Sequence, residues 1–107
     1  MSPPRTQLPS RRLSETISFE HCGVPYEASI SRFADGSIAE LFLSAGKTGS
    51  AADTLSRDTA VLLSIARQYG VPLQLMYDAL VKLGDGSPAG PVGVALQMFG
   101  DVDKSGR

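Results

Sequence analysis

The chain has 107 residues, 42% apolar and 20% charged, with a formal net charge of −1. That near-neutral balance leaves no basic footprint for nucleic acid or an anionic membrane, and no apolar run approaches the ~18 residues of a membrane span. One cysteine, Cys22, and one histidine, His21, exclude an intramolecular disulfide and a tetrahedral thiolate metal centre.

Size predicts a single domain with one modest core, and the absence of an export signal makes the cytoplasm the expected location. Residues 1–13 carry Pro3, Pro4 and Pro9 with Arg5, Arg11 and Arg12, and no acidic group precedes Glu15. They read as a flexible basic arm, either solvated or docked on an acidic partner surface. From Ser14 to Ser44 the pattern alternates with period two. Ile17, Phe19 and His21 share one face of a first strand, and Tyr26, Ala28 and Ile30 share one face of a second. Cys22-Gly23 and Ala34-Asp35-Gly36 are hairpin turns, with glycine supplying positive φ. The third strand is apolar on both sides, with Ala39, Leu41 and Leu43 against Ile38 and Phe42. It is therefore expected to be central, or to be covered on its second face by something outside the domain.

Ser50 is placed to cap a helix, with Asp53 in its first turn and Arg57 four residues on. Leu55, Leu62, Leu63, Ala66 and Tyr69 recur at helical spacing and predict its buried stripe, with Gly70 as the stop. Pro72 suits the first residue of a second helix, buried through Leu73, Met76, Ala79, Leu80 and Leu83 and ended by Gly84. The run Gly84–Pro91 is a loop, a short helical turn follows over Val92–Phe99, and residues 100–107 are expected to fray. Strands first and helices later give an α+β fold: a three-stranded antiparallel β-meander followed by two packed α-helices and a short C-terminal helical turn, spanning 14–99.

Gly46, Lys47, Thr48, Gly49 and Ser50 form a strand-to-helix corner. There a lysine and helix-start amides could face a phosphate or carboxylate, or Gly46 and Gly49 could simply permit a sharp turn with Lys47 solvated. A nucleoside-triphosphate loop needs a further glycine where Leu41 stands, so nucleotide hydrolysis is excluded. His21 and Cys22 are adjacent, so in a strand they point to opposite faces and make no nucleophile–base pair. Cys22 is expected as a half-buried hairpin residue and His21 at the edge of the core. Glu15, Glu20, Glu27 and Glu40 read as charges on a wet face. Tyr26, Phe33, Ile38 and Phe42 are the apolar groups that a partner or a second copy could cover, with ordinary core burial as the alternative.

The run Phe33-Ala-Asp-Gly-Ser-Ile-Ala-Glu-Leu-Phe-Leu-Ser-Ala-Gly-Lys-Thr-Gly-Ser50 resembles the C-terminal TSCPD-type domain of adenosylcobalamin-dependent, class II ribonucleotide reductases. In that family a similar F-x-D-G-x-x-x-E-I/L-F strand precedes a Lys-x-Gly turn and a helix. The similarity continues through Leu62–Leu73 and Pro88–Pro91, covering Thr16 to Val92. It implies descent from, or a role beside, ribonucleoside-diphosphate reductase in deoxyribonucleotide synthesis. Such reductases use a large barrel in which ribose reduction consumes two thiols and takes a third as hydrogen abstractor. This chain has Cys22 alone, and the cysteine-bearing stretch that gives the domain its name is missing. The resemblance therefore implies an accessory domain without catalytic residues or metal. It would bind a reductase subunit or a second copy through Phe33, Ile38 and Phe42, and meet adenosylcobalamin only through that partner. The other reading is a small nucleotide- or phosphate-binding regulatory protein using the Gly46–Ser50 corner.

Overall fold

The computed structural model describes residues 14–46 and 49–103; the basic arm, Lys47, Thr48 and residues 104–107 lie outside the described residues. Three strands, β1 (Ser14–His21), β2 (Val24–Arg32) and β3 (Ile38–Ala45), precede α1 (Ala51–Gln68), α2 (Leu73–Ala79) and α3 (Pro91–Phe99). The sheet is an antiparallel meander in the order β1-β2-β3, so the α+β expectation holds. The first hairpin closes through Cys22 (φ 52) and Gly23 (φ 77). Two successive positive φ values match the right-handed twist of the flanking strands. Cys22 itself is exposed rather than half-buried, because that turn projects beyond both strands.

The second turn, Phe33–Ser37, is tied by Phe33 N–H to Ser37 O (2.8 Å) and Gly36 N–H to Phe33 O (2.9 Å). Asp35 Oδ1 accepts from the Ser37 amide (2.9 Å) and hydroxyl (2.6 Å). The same Asp-Gly-Ser device recurs at Leu83–Ser87, with Leu83 N–H on Ser87 O, Gly86 N–H on Leu83 O, and Asp85 on Ser87. In both turns hydrogen bonds from the serine hold the aspartate pKa below its ordinary value.

Register places Ile17, Phe19, Tyr26, Ala28, Ile30, Leu41, Leu43 and Ala45 on one side of the sheet. The β2 and β3 members of that set are buried and form the core with Leu63, Leu73, Tyr77, Val92, Ala95, Leu96 and Val102. Phe19 stacks on Tyr26 with ring centroids 5.5 Å apart. A register shift between Ser31 and Arg32 pairs Arg32 with Ile38, and Ile38 and Ala39 are both fully buried. β3 is thus neither central nor covered on two faces: it is an edge strand, and Phe42 on its outer side is 55% exposed.

α2 is shorter than the periodicity predicts. Pro72 is its N-cap rather than its first residue, and the chain turns extended at Leu80. Lys82 ends it: its ammonium donates to Tyr77 O (2.6 Å) and Leu80 O (3.0 Å) while sitting 4.5 Å from the Tyr77 ring centroid. Carbonyls that another helical turn would have used are thereby satisfied, and Ala79 and Leu83 are left exposed. The predicted C-terminal turn is a nine-residue helix with Val92, Gly93, Ala95 and Leu96 buried. Gly93 lets it sit against Pro88, since a Cβ there would lie 2.6 Å from Pro88 Cβ. Residues 100–103 do not fray. Asp101 accepts from Arg32 Nη1 at 2.8 Å, Val102 is buried, and the Asp103 amide donates to Gln74 at 2.7 Å.

Candidate docking surface

α1 carries the largest departure from the sequence reading, and the cause lies in β3. An edge strand presents outward-pointing N–H and C=O groups that need partners. Here α1 runs along that edge and supplies them from its side chains. Ser64 Oγ accepts from Leu41 N–H (2.9 Å) and faces Leu41 O (3.0 Å) and Ala60 O (2.8 Å). Asp53 Oδ1 accepts from Ala45 N–H (3.0 Å), and Arg67 Nε donates to Ile38 O (2.6 Å). The residues α1 buries are accordingly Asp53, Ser56, Ala60, Leu63, Ser64 and Gln68. Of the predicted stripe only Leu63 is buried. Leu55 (66%), Leu62 (67%) and Tyr69 (41%) are exposed, joined by Val61 and Ile65.

At 3.6 residues per turn, Leu55, Leu62, Ile65 and Tyr69 fall on the side of α1 opposite Asp53, Ala60 and Ser64. The apolar stripe extends roughly 21 Å along the helix at 1.5 Å per residue. Near Leu55 it meets a cleft of about 300 Å³ between α1 and the 80–93 segment, lined mainly by apolar groups including Tyr26, Leu80, Val81, Pro88 and Pro91. Val81, on its rim, is 75% exposed. Asp58, also exposed, falls on the same face between Leu55 and Leu62, so the exposed apolar groups of α1 form two patches, one of them at the cleft.

The other predicted positions are scattered. Phe42 lines a separate outer groove with Val61 and Arg57. Ile38 is fully buried and offers nothing to a partner, because the register shift takes it into the core. Phe33 is half-buried beneath the Arg67 guanidinium, 5.6 Å from the ring centroid. Tyr26 is core. Phe33, Ile38 and Phe42 therefore do not make one face.

At the strand-to-helix corner, Gly46 N–H donates to Pro25 O (2.8 Å), and a Cβ on Gly46 would lie 2.7 Å from Pro25 Cγ. Gly49 has φ 82. Ser50 Oγ accepts from Asp53 N–H (3.1 Å), the predicted cap. Lys47 and Thr48 fall outside the described residues. The negative charge at this corner is the chain's own: Asp53, 2% exposed, accepts from Ala45 and Gly49 amides and from Arg57 Nε (3.0 Å). Burial pushes the Asp53 carboxyl up. The Arg57 hydrogen bond, the two amides and the Arg57 charge outweigh it and leave its pKa below the ordinary value.

His21, at the core edge as expected, contacts Ala89 O through Nε2 at 2.9 Å. Glu15 lies on the helix side of the sheet rather than the wet face, paired with Arg32 Nε at 2.6 Å. That hydrogen bond lowers its pKa. Among the described residues no group of acidic, histidine and cysteine side chains could hold a metal ion, and no helix is long and apolar enough to cross a membrane.

No family model matches the chain, and no solved structure matches it. Curated proteins to which it is similar include three vitamin B12-dependent ribonucleotide reductases. The sequence from Rhodopirellula baltica is 35% identical over 74 residues, 69% of this chain. Those from Agrobacterium fabrum and Bradyrhizobium diazoefficiens are 33% and 32% identical over 70% and 82% of it. The matches span only 6–7% of the reductases' own length. The chain is thus a partial relative, similar to one short segment of a vitamin B12-dependent ribonucleotide reductase.

Proposed function

We propose that this domain is an accessory binding module of deoxyribonucleotide synthesis, of the TSCPD type, which docks on a reductase polypeptide and performs no chemistry itself. The observation that carries the reading is the exposed apolar face of α1, Leu55, Leu62, Ile65 and Tyr69, beside an apolar cleft. Among the described residues nothing covers the apolar side of this helix, and docking against another molecule would lower its free energy. The single thiol, on an exposed turn, supports a non-catalytic role. Adenosylcobalamin belongs to the partner in this reading.

The test is calorimetric titration of the chain into a vitamin B12-dependent reductase, comparing wild type with Leu62→Glu. Saturable binding is expected, weakened at least tenfold by the substitution, which corresponds to about 1.4 kcal/mol or more. Absence of binding, binding indifferent to Leu62→Glu, or ribonucleotide reduction by the purified chain alone would overturn it.

A further inference from the structure

The sheet has a second edge, and it presents a different kind of surface. Leu41 and Ala45 direct their amides away from β2, towards Ser64 and Asp53, so Phe42 and Ser44 are the β3 residues that exchange bonds with Ser29 and Glu27. Antiparallel pairing alternates. Tyr26, Ala28 and Ile30 therefore bond with Phe19, Ile17 and Glu15. Thr16, Ser18 and Glu20 turn their backbone N–H and C=O groups outward, and among the described residues no strand pairs with them. The eight-residue strand Ser-Glu-Thr-Ile-Ser-Phe-Glu-His carries no proline, lysine or bulge of the sort that keeps sheet edges apart.

We infer that β1 is a homotypic interface, pairing antiparallel with β1 of a second copy about a two-fold axis at Ser18. The register follows from the side chains. With the axis at Ser18, the outward backbone of Thr16 meets that of Glu20 of the second copy, and Ser18 meets its own equivalent. On the helix side, half-buried Ile17 lies opposite half-buried Phe19 of the second copy, completing apolar burial that an edge strand leaves open. Glu15 lies opposite His21 of the second copy, a carboxylate against an imidazole. Moving the axis to Ile17 would set Glu15, already paired with Arg32 in its own chain, against the Phe19 ring and leave Ile17 facing only its own equivalent. Interfaces with such an axis are self-complementary, and cross-strand pairs of these types each stabilise a sheet. The surface lies at the opposite edge of the sheet from α1, so it is independent of reductase docking.

Sedimentation of the full chain over a rising concentration series tests the inference. A species of twice 11.3 kDa is expected at high micromolar concentration. Amide exchange at Thr16, Ser18 and Glu20 should slow as it forms. Ser18→Lys, at an exposed position, sets two like charges across the axis and should weaken association at least tenfold, with an unchanged melting curve at low concentration where both proteins are monomeric. Leu62→Glu should leave association intact. A monomer at every concentration would overturn the inference. So would a dimer lost in Leu62→Glu but kept in Ser18→Lys. Protection of the three amides independent of concentration would assign the edge to residues 1–13 instead, and would equally sink it.

Discussion

β3 ends the sheet against a helix, with Ser64, Asp53 and Arg67 taking up the outward groups of Leu41, Ala45 and Ile38. β1 ends it with the backbones of Thr16, Ser18 and Glu20 open among the described residues. The two edges carry similar backbone demands, and the difference in how they are met sets the character of the molecular surface. Closing an edge with side chains consumes the polar face of the closing helix, and its apolar face is then directed outward. An amphipathic helix is ordinarily read with its apolar stripe inside. Here an edge strand that must be satisfied reverses the assignment.

The comparison can be broken most severely at Ser64. Ser64→Val should leave the Leu41 amide buried without an acceptor, costing roughly 2–3 kcal/mol and lowering the melting temperature by roughly 10 °C or more. Thermal denaturation followed by circular dichroism reads it. Gly46→Ala comes next: the new Cβ meets Pro25 at 2.7 Å, and relief by a backbone shift should cost about 1–3 kcal/mol, measurable by urea denaturation. Acid sharpens the comparison further. Asp53 holds its proton less tightly folded than unfolded, so the unfolded chain binds more protons around the ordinary carboxylate value of about 3.9. Its contribution is present above that value and is lost as pH falls through the lower folded one. Asp53→Asn should flatten this acid limb in a series of melting curves, and an unchanged limb would remove Asp53 from the edge. The smallest stability effect belongs to the outer face. Leu62→Glu should alter folding stability by less than about 0.5 kcal/mol, while weakening the proposed docking at least tenfold.

Much of the fold was legible in the chain. Period-two alternation located the strands and their inward faces, and Cys22-Gly23 and Asp35-Gly36 marked both hairpins. Ser50 and Asp53 marked the start of α1. What stayed hidden depended on contacts distant in sequence. Leu55 and Tyr69 look buried because periodicity reports that a helix has two faces, not which of them meets the sheet. The cue lay in the other face, where Asp53, Ser56, Ala60 and Ser64 repeat at the same spacing with small or hydrogen-bonding side chains suited to lie against backbone. Ile38 was misplaced because a register shift at Ser31/Arg32 leaves no trace in alternation. Leu83 reads as part of α2 because its spacing from Leu80 and Met76 is helical, while the local capture of the Tyr77 and Leu80 carbonyls by Lys82 leaves no mark in periodicity. Phe42 is exposed but lines a separate groove, and the α1 face is hidden from periodicity, which places Leu55, Leu62 and Tyr69 in the core and gives no signal for Ile65.

The orientation of α1 is the claim on which the docking proposal stands, and adjacent residues test it directly. Methyl resonances of Leu62 and Leu63, 67% and 6% exposed, can be compared in the presence of a soluble paramagnetic agent. The account predicts that the Leu62 methyls broaden strongly while those of Leu63 are spared. Protection of Leu62, Leu55 and Ile65 in the isolated chain would place the stripe inside and contradict it.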